Sequence, residues 1–317
     1  MTKYGLTLAS ELNPPNRLVE IAVAAEEAGF DFVSISDHFH PWISEQGHSG
    51  FVWSVLGAIS SATTDLEVGV GVTCPTFRIH PAINAHAVAT TAALFGGRLV
   101  WGVGSGEALN EHILGDRWPP APVRIEMLEE AVNIIRALWT GETITHRGKH
   151  YTVEDARIFD LPESPPPIVV SAFGEKAAEL AARIGDGLWT TGPDEKILAA
   201  YHDAGGEGQV WSQLTFSWDP DKETAVERAH RLWPNTALPG QLAQDLPTVL
   251  HFEQATKSVE PADIEAAMPC GPDAGPILDS IEQARDAGID HIYLNQIGNP
   301  LDGFIDFWSE ELRPRLQ

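Results

Sequence analysis

The chain has 317 residues, of which 43% are apolar and 21% charged, and it carries a formal net charge of −25. Its 45 acidic residues outnumber 20 basic ones, so we expect no nucleic-acid partner, because phosphate neutralisation needs clustered Lys and Arg. The chain contains no run of about 18 apolar residues, so no transmembrane helix and no membrane partner are expected.

The N-terminus and the cysteines bear on the cellular compartment. The opening MTKYGLTLASEL has no long apolar stretch and no small-residue cleavage site, which predicts no signal peptide. Cys74 and Cys270 are far apart, which indicates a reducing compartment without a disulfide framework. We therefore expect a cytoplasmic protein. No metal site is predicted, and HRGKH (146–150), with two histidines and no third ligand in sight, is interpreted as surface.

Segments typical of strands and of helices alternate along the chain. Strand-like runs are predicted at 4–10, 30–36, 66–73, 98–106, 166–173, 187–191, 213–219 and 291–298. Helical stripes are predicted between them at 15–29, 51–63, 81–96, 124–141 and 175–185. Eight strands alternating with helices over about 300 residues predict an α/β fold, a (β/α)8 TIM barrel. A doubly wound sheet is the competitor, but no G-x-G-x-x-G motif opens the first helix.

Two segments interrupt this alternation. Residues 144–159 have a hairpin-like centre, and residues 219–272 are rich in Pro, Asp and Gln with short helical pieces. We interpret both as insertions in one barrel, so that residues 1–317 form a single domain.

The chemistry of such barrels lies at the carboxyl ends of the strands, so the residues after each predicted strand are the candidates for a site. They could bring a carboxylic acid, an imidazole and an indole into one pocket. In chain order they are Ser10, Glu11, Asp37, His38, His40, Trp42, Thr73, Cys74, Thr76, Ser105, Glu107, Asn110, Glu111, His112, Ser171, Phe173, Gly174, Thr190, Thr191, Asn295 and Gln296.

The stretch SISDHFHPW (34–42) holds an acid, two histidines and two aromatic residues where a strand ends. Histidine titrates near neutral pH, so His38 is a candidate base, and Trp42 would form an aromatic wall beside it. His40 is interpreted as a structural hydrogen-bonding residue. The alternative is a capped helix start with Asp37 as the N-cap.

The stretch GVGSGEALNEH (102–112) places glycines and then Glu107 at another strand end. Glycine lets the backbone approach a ligand closely. The alternative for Glu107 is an acid that interacts favourably with a helix N-terminus.

Gly69 and Gly71 lie two apart on the predicted third strand. Such a pair either accommodates a flat ring against a bulged strand or is an ordinary pair of barrel-core glycines. Residues 169–187 run from a strand through a turn at Gly174 into a helix N-terminus, a generic arrangement for phosphate binding.

Four motifs together carry a resemblance to a known group: SDHFHPW, CPTFRIHPAI, GVGSGEALNEHILGDRWP and AARIGDGLW. They resemble the bacterial luciferase-like barrel superfamily, and more closely its branch of F420-dependent glucose-6-phosphate dehydrogenases and related dehydrogenases. The similarity runs along nearly the whole chain. It implies a luciferase-like barrel, the deazaflavin coenzyme F420 in the barrel mouth, and a homodimer.

The resemblance also implies roles at the matching positions. His38, Trp42 and Glu107 would be catalytic, with a non-prolyl cis peptide at Gly71-Val72 behind the cofactor ring. Glu11, Thr191 and Asp194 are predicted to contact the substrate. The predicted cofactor-binding residues are Asp37, Gly71, Val72, Thr73, Ser105, Gly106, Asn110, Ser171, Ala172, Phe173 and Gly174.

The sequence departs from the glucose-6-phosphate pattern where two lysines and an arginine bind the sugar phosphate. The matching positions hold Asp194, Ala266 or Ala267, and Asp302 or Gly303, so we expect this substrate to be rejected. Phe173 also stands where a glycine is common in the phosphate loop.

We therefore predict an F420-dependent dehydrogenase that moves a hydride between an alcohol, sugar or carbonyl substrate and C5 of the deazaflavin. His38 would take the hydroxyl proton, and Glu107 would serve the ring nitrogen N1 or orient His38, with the reverse assignment open. The alternatives are an FMN-dependent monooxygenase or flavin reductase and a non-catalytic flavin-binding protein.

A homodimer is predicted from two segments that are too apolar all round for simple surface helices. They are FVWSVLGAISSA (51–62) and PAINAHAVATTAALF (81–95).

Overall fold

The structure, a computed structural model, describes residues 2–316. Eight parallel strands form a closed barrel in the spatial order β1-β10-β9-β8-β7-β4-β3-β2. They are β1 (Lys3–Leu8), β2 (Phe32–Ile35), β3 (Glu67–Thr73), β4 (Leu99–Val103), β7 (Ile168–Ser171), β8 (Gly187–Thr190), β9 (Gln209–Phe216) and β10 (His291–Gln296), while β5 (Ile144–Arg147) and β6 (Thr152–Ala156) form a separate two-stranded sheet. The predicted (β/α)8 barrel is confirmed.

Helices surround the barrel and connect its strands. None of those between residues 2 and 316 is both long and apolar enough to span a lipid bilayer. They are α1 (Pro15–Glu27), α2 (Val52–Ala62), α3 (Pro81–Phe95), α4 (Ala108–Glu111), α5 (Ala121–Leu138), α6 (Glu175–Ile184), α7 (Glu195–Asp203), α8 (Lys222–Leu232), α9 (Leu242–Asp245), α10 (Val249–Ala255), α11 (Pro261–Ala267), α12 (Ala274–Asp286) and α13 (Phe304–Phe307).

Several strand boundaries differ from the prediction, and those of β9 and β4 differ most. The seventh barrel strand, β9, begins at Gln209 rather than at 213, and it ends at Phe216 rather than at 219. Its first half pairs with β8 from Gly187 onward, and that pairing follows from neighbours distant in sequence. The fourth strand ends at Val103 instead of 106, because residues 104–106 leave the sheet to form the loop at the barrel mouth.

The first insertion is the antiparallel hairpin β5-β6, which packs on α5. Glu130 of α5 accepts hydrogen bonds of 3.0 Å from the backbone N–H groups of His150 and Tyr151, and His146 Nε2 lies 3.0 Å from the same carboxylate. The buried hydroxyl of Tyr151 donates to the carbonyl of Thr76 at 2.9 Å. The hairpin is thereby attached to the loop that follows β3.

The second insertion, between β9 and α12, covers one side of the barrel mouth. Phe252 of α10 is fully buried and meets the ring of Trp42 edge-on, with 5.1 Å between the ring centroids. Ile43 and Leu109 complete this small apolar cluster. The insertion therefore forms an aromatic wall beside the predicted site.

The interior of the barrel is filled by aromatic rings. Trp189 stacks on Trp211 at a centroid distance of 4.9 Å, and Trp211 stacks on His291 at 4.0 Å. A Cβ atom at Gly71 would lie 2.4 Å from the Trp189 indole, and one at Gly69 would lie 2.9 Å from it. The glycine pair of β3 is therefore explained by the indole of Trp189 inside the barrel.

His291 provides a test of this packing. Burial, with Lys3 acting in the same direction, lowers the pKa of His291 from 6.5 to about 3. Between these two pH values the unfolded chain binds a proton that the folded chain does not, so stability falls as the pH is lowered. His291→Phe should flatten the dependence of Tm on pH between 6.5 and 4, since each pKa unit corresponds to about 1.4 kcal/mol.

The control for this experiment is His86→Gln, which changes an exposed histidine on α3 and should leave the wild-type slope. Calorimetric melts at a series of pH values measure both variants. Equal slopes for His291→Phe and the wild type would contradict the assignment.

Candidate active site

Three strand ends bring the predicted acid, imidazole and indole together. His38 Nδ1 lies 2.9 Å from Glu11 Oε1, and His38 Nε2 lies 4.0 Å from Glu107 Oε1. The ring of Trp42 stands nearly perpendicular to the imidazole, with 5.0 Å between the centroids. His38 thus sits between two carboxylates, with its Nδ1 side occupied and its Nε2 side toward the more exposed acid.

Glu11, a predicted substrate contact, is a buried residue. Its side chain is 3% exposed, and its second oxygen accepts a hydrogen bond of 2.8 Å from Ser36 Oγ. Ser36 is in turn bonded to Ser10 at 2.8 Å. Both carboxylate oxygens therefore contact groups of the protein, His38 and Ser36, and the contact of Glu11 with substrate stays a prediction.

The charge of His38 follows from this arrangement. Burial would lower its pKa, but the carboxylate of Glu11 and the hydrogen bond to it, followed by Glu107 and Asp37, raise the pKa to about 9. The pKa of Glu11 is lowered, because the effect of its burial is outweighed by the neighbouring imidazolium. The pair is therefore ionic at neutral pH, and His38 holds a proton.

Asp37, directly before His38 in the chain, belongs to a second buried ionic group. Arg78 Nη2 contacts Asp37 Oδ1 at 2.9 Å, and Arg78 Nε lies 3.6 Å from Glu111 Oε1. Burial raises the pKa of Glu111 to about 7, with Arg78 opposing the shift. The alternative of Asp37 as a helix N-cap is not realised, because no helix begins at residue 38 and the carboxylate contacts Arg78 instead.

Asn110 joins the loop after β4 to the loop after β2. Its Oδ1 accepts hydrogen bonds from the backbone N–H groups of Phe39 and His40 at 2.9 and 3.0 Å. His40 has the structural role predicted for it, since its Nδ1 lies 3.0 Å from the carbonyl oxygen of Leu109. Gly106 has φ = +77°, and a Cβ there would lie 2.6 Å from Cys74 Sγ, so only glycine fits this turn.

The end of β3 carries the predicted irregularity. The Gly71-Val72 peptide is cis, and the pairing of β3 with β4 shifts between Val70 and Thr73. Thr73 is 1% exposed and ends the strand at the barrel mouth.

The remaining predicted positions lie on the neighbouring strand ends. Ser171 ends β7, Ala172 is fully buried, Phe173 is 60% exposed, and Gly174 precedes the first turn of α6. Ser105 is partly exposed after β4. This face of the barrel therefore combines a polar strand-end rim with a helix N-terminus.

The two predicted substrate contacts after β8 are more peripheral. Thr191 is exposed, and so is Asp194, whose Oδ1 accepts the backbone N–H groups of Lys196 and Ile197 at 2.9 and 3.2 Å. Asp194 is thus the N-cap of α7, and its contact with substrate stays a prediction.

The sequence of this chain also matches a known protein family. The sequence profile of the family described as luciferase-like monooxygenase matches residues 2–291. The chain belongs to the luciferase-like family. This confirms the resemblance seen in the four sequence motifs.

Within the luciferase-like family, the chain is similar to proteins named as F420-dependent glucose-6-phosphate dehydrogenases. It is 35% identical to one from Microbacterium testaceum, covering 99% of this chain and 97% of the relative. It is 34% identical to one from Tsukamurella paurometabola, covering 99% and 98%. A solved structure of an F420-dependent secondary alcohol dehydrogenase in complex with an F420-acetone adduct matches at 30% identity with a TM-score of 0.90, covering 100% and 99% of the two chains.

Sequence reasoning missed several residues of this luciferase-like site. Arg78 lies in CPTFRIHPAI, where no sequence pattern indicates that it is buried. Ser36 was predicted only as part of a strand. Trp189 had an indirect signal, since the glycines of β3 require a large neighbour.

The ionic contact of Glu11 with His38 can be tested directly. Glu11→Gln removes the carboxylate that raises the pKa of His38, so that pKa should fall well below about 9. A ¹³C-histidine NMR titration of the cofactor-free protein measures it. Glu107→Gln is the matched control and should lower the pKa less, because its carboxylate lies 4.0 Å away. A His38 titration that is unchanged in Glu11→Gln would contradict the assignment.

Proposed function

We propose that this protein is an F420-dependent oxidoreductase that transfers a hydride between an alcohol, sugar or carbonyl substrate and C5 of the deazaflavin. The observation that carries the proposal is the buried imidazole of His38 between Glu11 and Glu107, beside Trp42. The names of the similar proteins, glucose-6-phosphate and secondary alcohol dehydrogenases that depend on F420, support it.

The residues at the barrel mouth suit a deazaflavin. Within the described chain, Asp37 Oδ2, Thr73 Oγ1 and Asn110 Nδ2 are buried without a hydrogen-bond partner. A carboxylate oxygen can accept from a ring N–H, while a hydroxyl and an amide NH₂ can donate to ring carbonyls. F420, when bound, supplies the ring carbon that accepts or gives the hydride. The segment Ser171–Gly174, at the start of α6, would hold its phosphate.

Proton transfer is the part of the reaction that the chain itself performs. Because Nδ1 of His38 is held by Glu11, Nε2 is the nitrogen that can serve the substrate oxygen. Carbonyl reduction needs the imidazolium that prevails below pH about 9, and alcohol oxidation needs the neutral ring. Glu107, 28% exposed, would hold a proton for the cofactor nitrogen N1, and Trp42 would stack on the substrate.

The charge of the site bears on the substrate class. Glu11, Asp37, Glu107 and Glu111 surround His38 and Arg78, so acids outnumber cations. Each missing charge-assisted hydrogen bond to a phosphate would be worth about 1.5–3 kcal/mol. We therefore propose neutral alcohols or carbonyls as substrates rather than sugar phosphates.

We also propose that the whole chain is one domain with two insertions, that it forms a homodimer, and that it is cytoplasmic. Exposed apolar side chains on and next to α2 and α3 support the dimer: Phe51, Ile83 and Leu94 are 54%, 60% and 58% exposed. Light scattering at micromolar concentration tests it, and a monomer would contradict it.

The main test of function compares cofactors and substrates on the purified protein. We expect F420 to bind and to be reduced by neutral alcohols, and FMN to bind weakly or not at all. Glucose and glucose 6-phosphate form a matched pair that differs by the phosphate, and the phosphate should bring no gain in kcat/KM. Saturable glucose 6-phosphate oxidation at sub-millimolar KM would overturn the substrate class. Tight FMN binding would favour the flavin alternatives.

Two substitutions test the assigned proton chemistry. His38→Ala and Glu107→Gln should each leave F420 binding nearly intact and lower turnover by roughly 10²–10⁴, the usual contribution of a positioned acid or base. Thr191→Ala, at the exposed position directly after β8, serves as a comparison and should change KM more than kcat. Full activity in His38→Ala or in Glu107→Gln would remove the substituted residue from the mechanism.

A further inference from the structure

Arg78 is a buried cation that no part of the proposed reaction uses. Its side chain is 7% exposed, while those of Asp37 and Glu111 on either side are 0% and 1% exposed. The guanidinium belongs to the loop between β3 and α3, outside the two segments that carry His38 and Glu107. A buried charge is costly unless it is paired, and Arg78 lies between two carboxylates.

The contacts of Arg78 reach the residue that precedes His38 in the chain. Its Nη2 donates to both the carboxylate of Asp37, at 2.9 Å, and the carbonyl oxygen of Asp37, at 3.2 Å. Its own backbone N–H donates to Glu111 Oε2 at 3.0 Å. One residue therefore ties the loop after β2 to the short helix α4.

On the other side of His38, the loop is held by a second set of bonds. Asn110 accepts from the N–H groups of Phe39 and His40, and Ser49 Oγ donates to the His38 carbonyl at 2.7 Å. On the N-terminal side of the histidine, Ser10 Oγ donates to the Ser36 carbonyl at 3.1 Å, and Arg78 holds the carbonyl of Asp37, the residue directly before His38. The backbone is thus held on both sides of His38, and Arg78 holds it at the position nearest to the imidazole on the N-terminal side.

We propose that Arg78 is a positioning residue, whose guanidinium holds the Asp37 backbone so that His38 keeps its contact with Glu11. The inference rests on the proposed function and adds Arg78 to the residues on which the proposed reaction depends. Lysine is an imperfect replacement, because its ammonium sits on a flexible four-carbon stem and lacks the rigid guanidinium that places Nη2 against Asp37 and Nε toward Glu111.

The interpretation of a His38 titration depends on the charged groups around His38 and Arg78. His38 faces Glu11 from the end of β1, Glu107 from the end of β4, and Asp37 on its own loop. Arg78 faces Asp37, Glu111 and the thiol of Cys74. An Arg78→Lys substitution keeps the positive charge, so a change in the His38 titration would report altered geometry rather than lost charge.

The test is Arg78→Lys, measured in two ways. In the cofactor-free protein, the NMR titration midpoint of His38 should move down toward its ordinary value, because the imidazole separates from Glu11. With F420 and substrate, kcat should fall by up to about 100-fold, the cost of misplacing a reacting group by about 1 Å, with a smaller change in KM.

Arg98→Lys is the matched control. Arg98 donates to the carbonyls of Leu66 and Thr63 before β3, away from the barrel mouth, so its substitution should lower Tm without moving the His38 midpoint. An unmoved midpoint in Arg78→Lys overturns the proposal, whether or not kcat falls. If the wild type does not turn over F420, the proposed function fails, while the titration still decides the role of Arg78.

Discussion

The buried contact between the Glu11 carboxylate and His38 Nδ1 is the interaction on which the site depends. A histidine at a loop could turn either nitrogen toward the pocket, and a buried imidazole would ordinarily lose its proton. Glu11 prevents both: it occupies one nitrogen and stabilises the charged ring. Ser36 and Ser10 hold the carboxylate in turn, so the end of β1 and the end of β2 act as one unit. Removing either partner would leave a buried charge unpaired.

The barrel interior supplies the rigid frame beneath this contact. The stacked rings of Trp189, Trp211 and His291 fill the space where an empty barrel would collapse. Because Trp189 lies against the glycines of β3, that strand can approach it and then leave regular pairing before Thr73. The strand ends therefore meet at fixed positions, as an active site requires, while the loops above them remain free to carry chemistry.

The same ionic arrangement bears on what can enter the site. His38 and Arg78 are both already paired with carboxylates, so neither is free to bind an anionic group of the substrate. The second insertion adds an aromatic wall through Phe252 and Trp42 rather than further charge. This composition supports the proposal of an uncharged substrate whose reacting oxygen would meet Nε2 of His38.

The sequence by itself determined the barrel, because the hydrophobic periodicity of each strand and each helix can be recognised within its own segment. It also determined most of the rim, since residues after parallel strands must meet at one end of a barrel. Only the tertiary structure decided the partners across that rim. The contact of Glu11 with His38, and the burial of Arg78 against Asp37, 41 positions away, follow only from the closed barrel. The early start of β9 likewise depended on its pairing with β8. In each case the physical reason is the same: an ion pair or a strand register joins residues that share no period or motif along the chain.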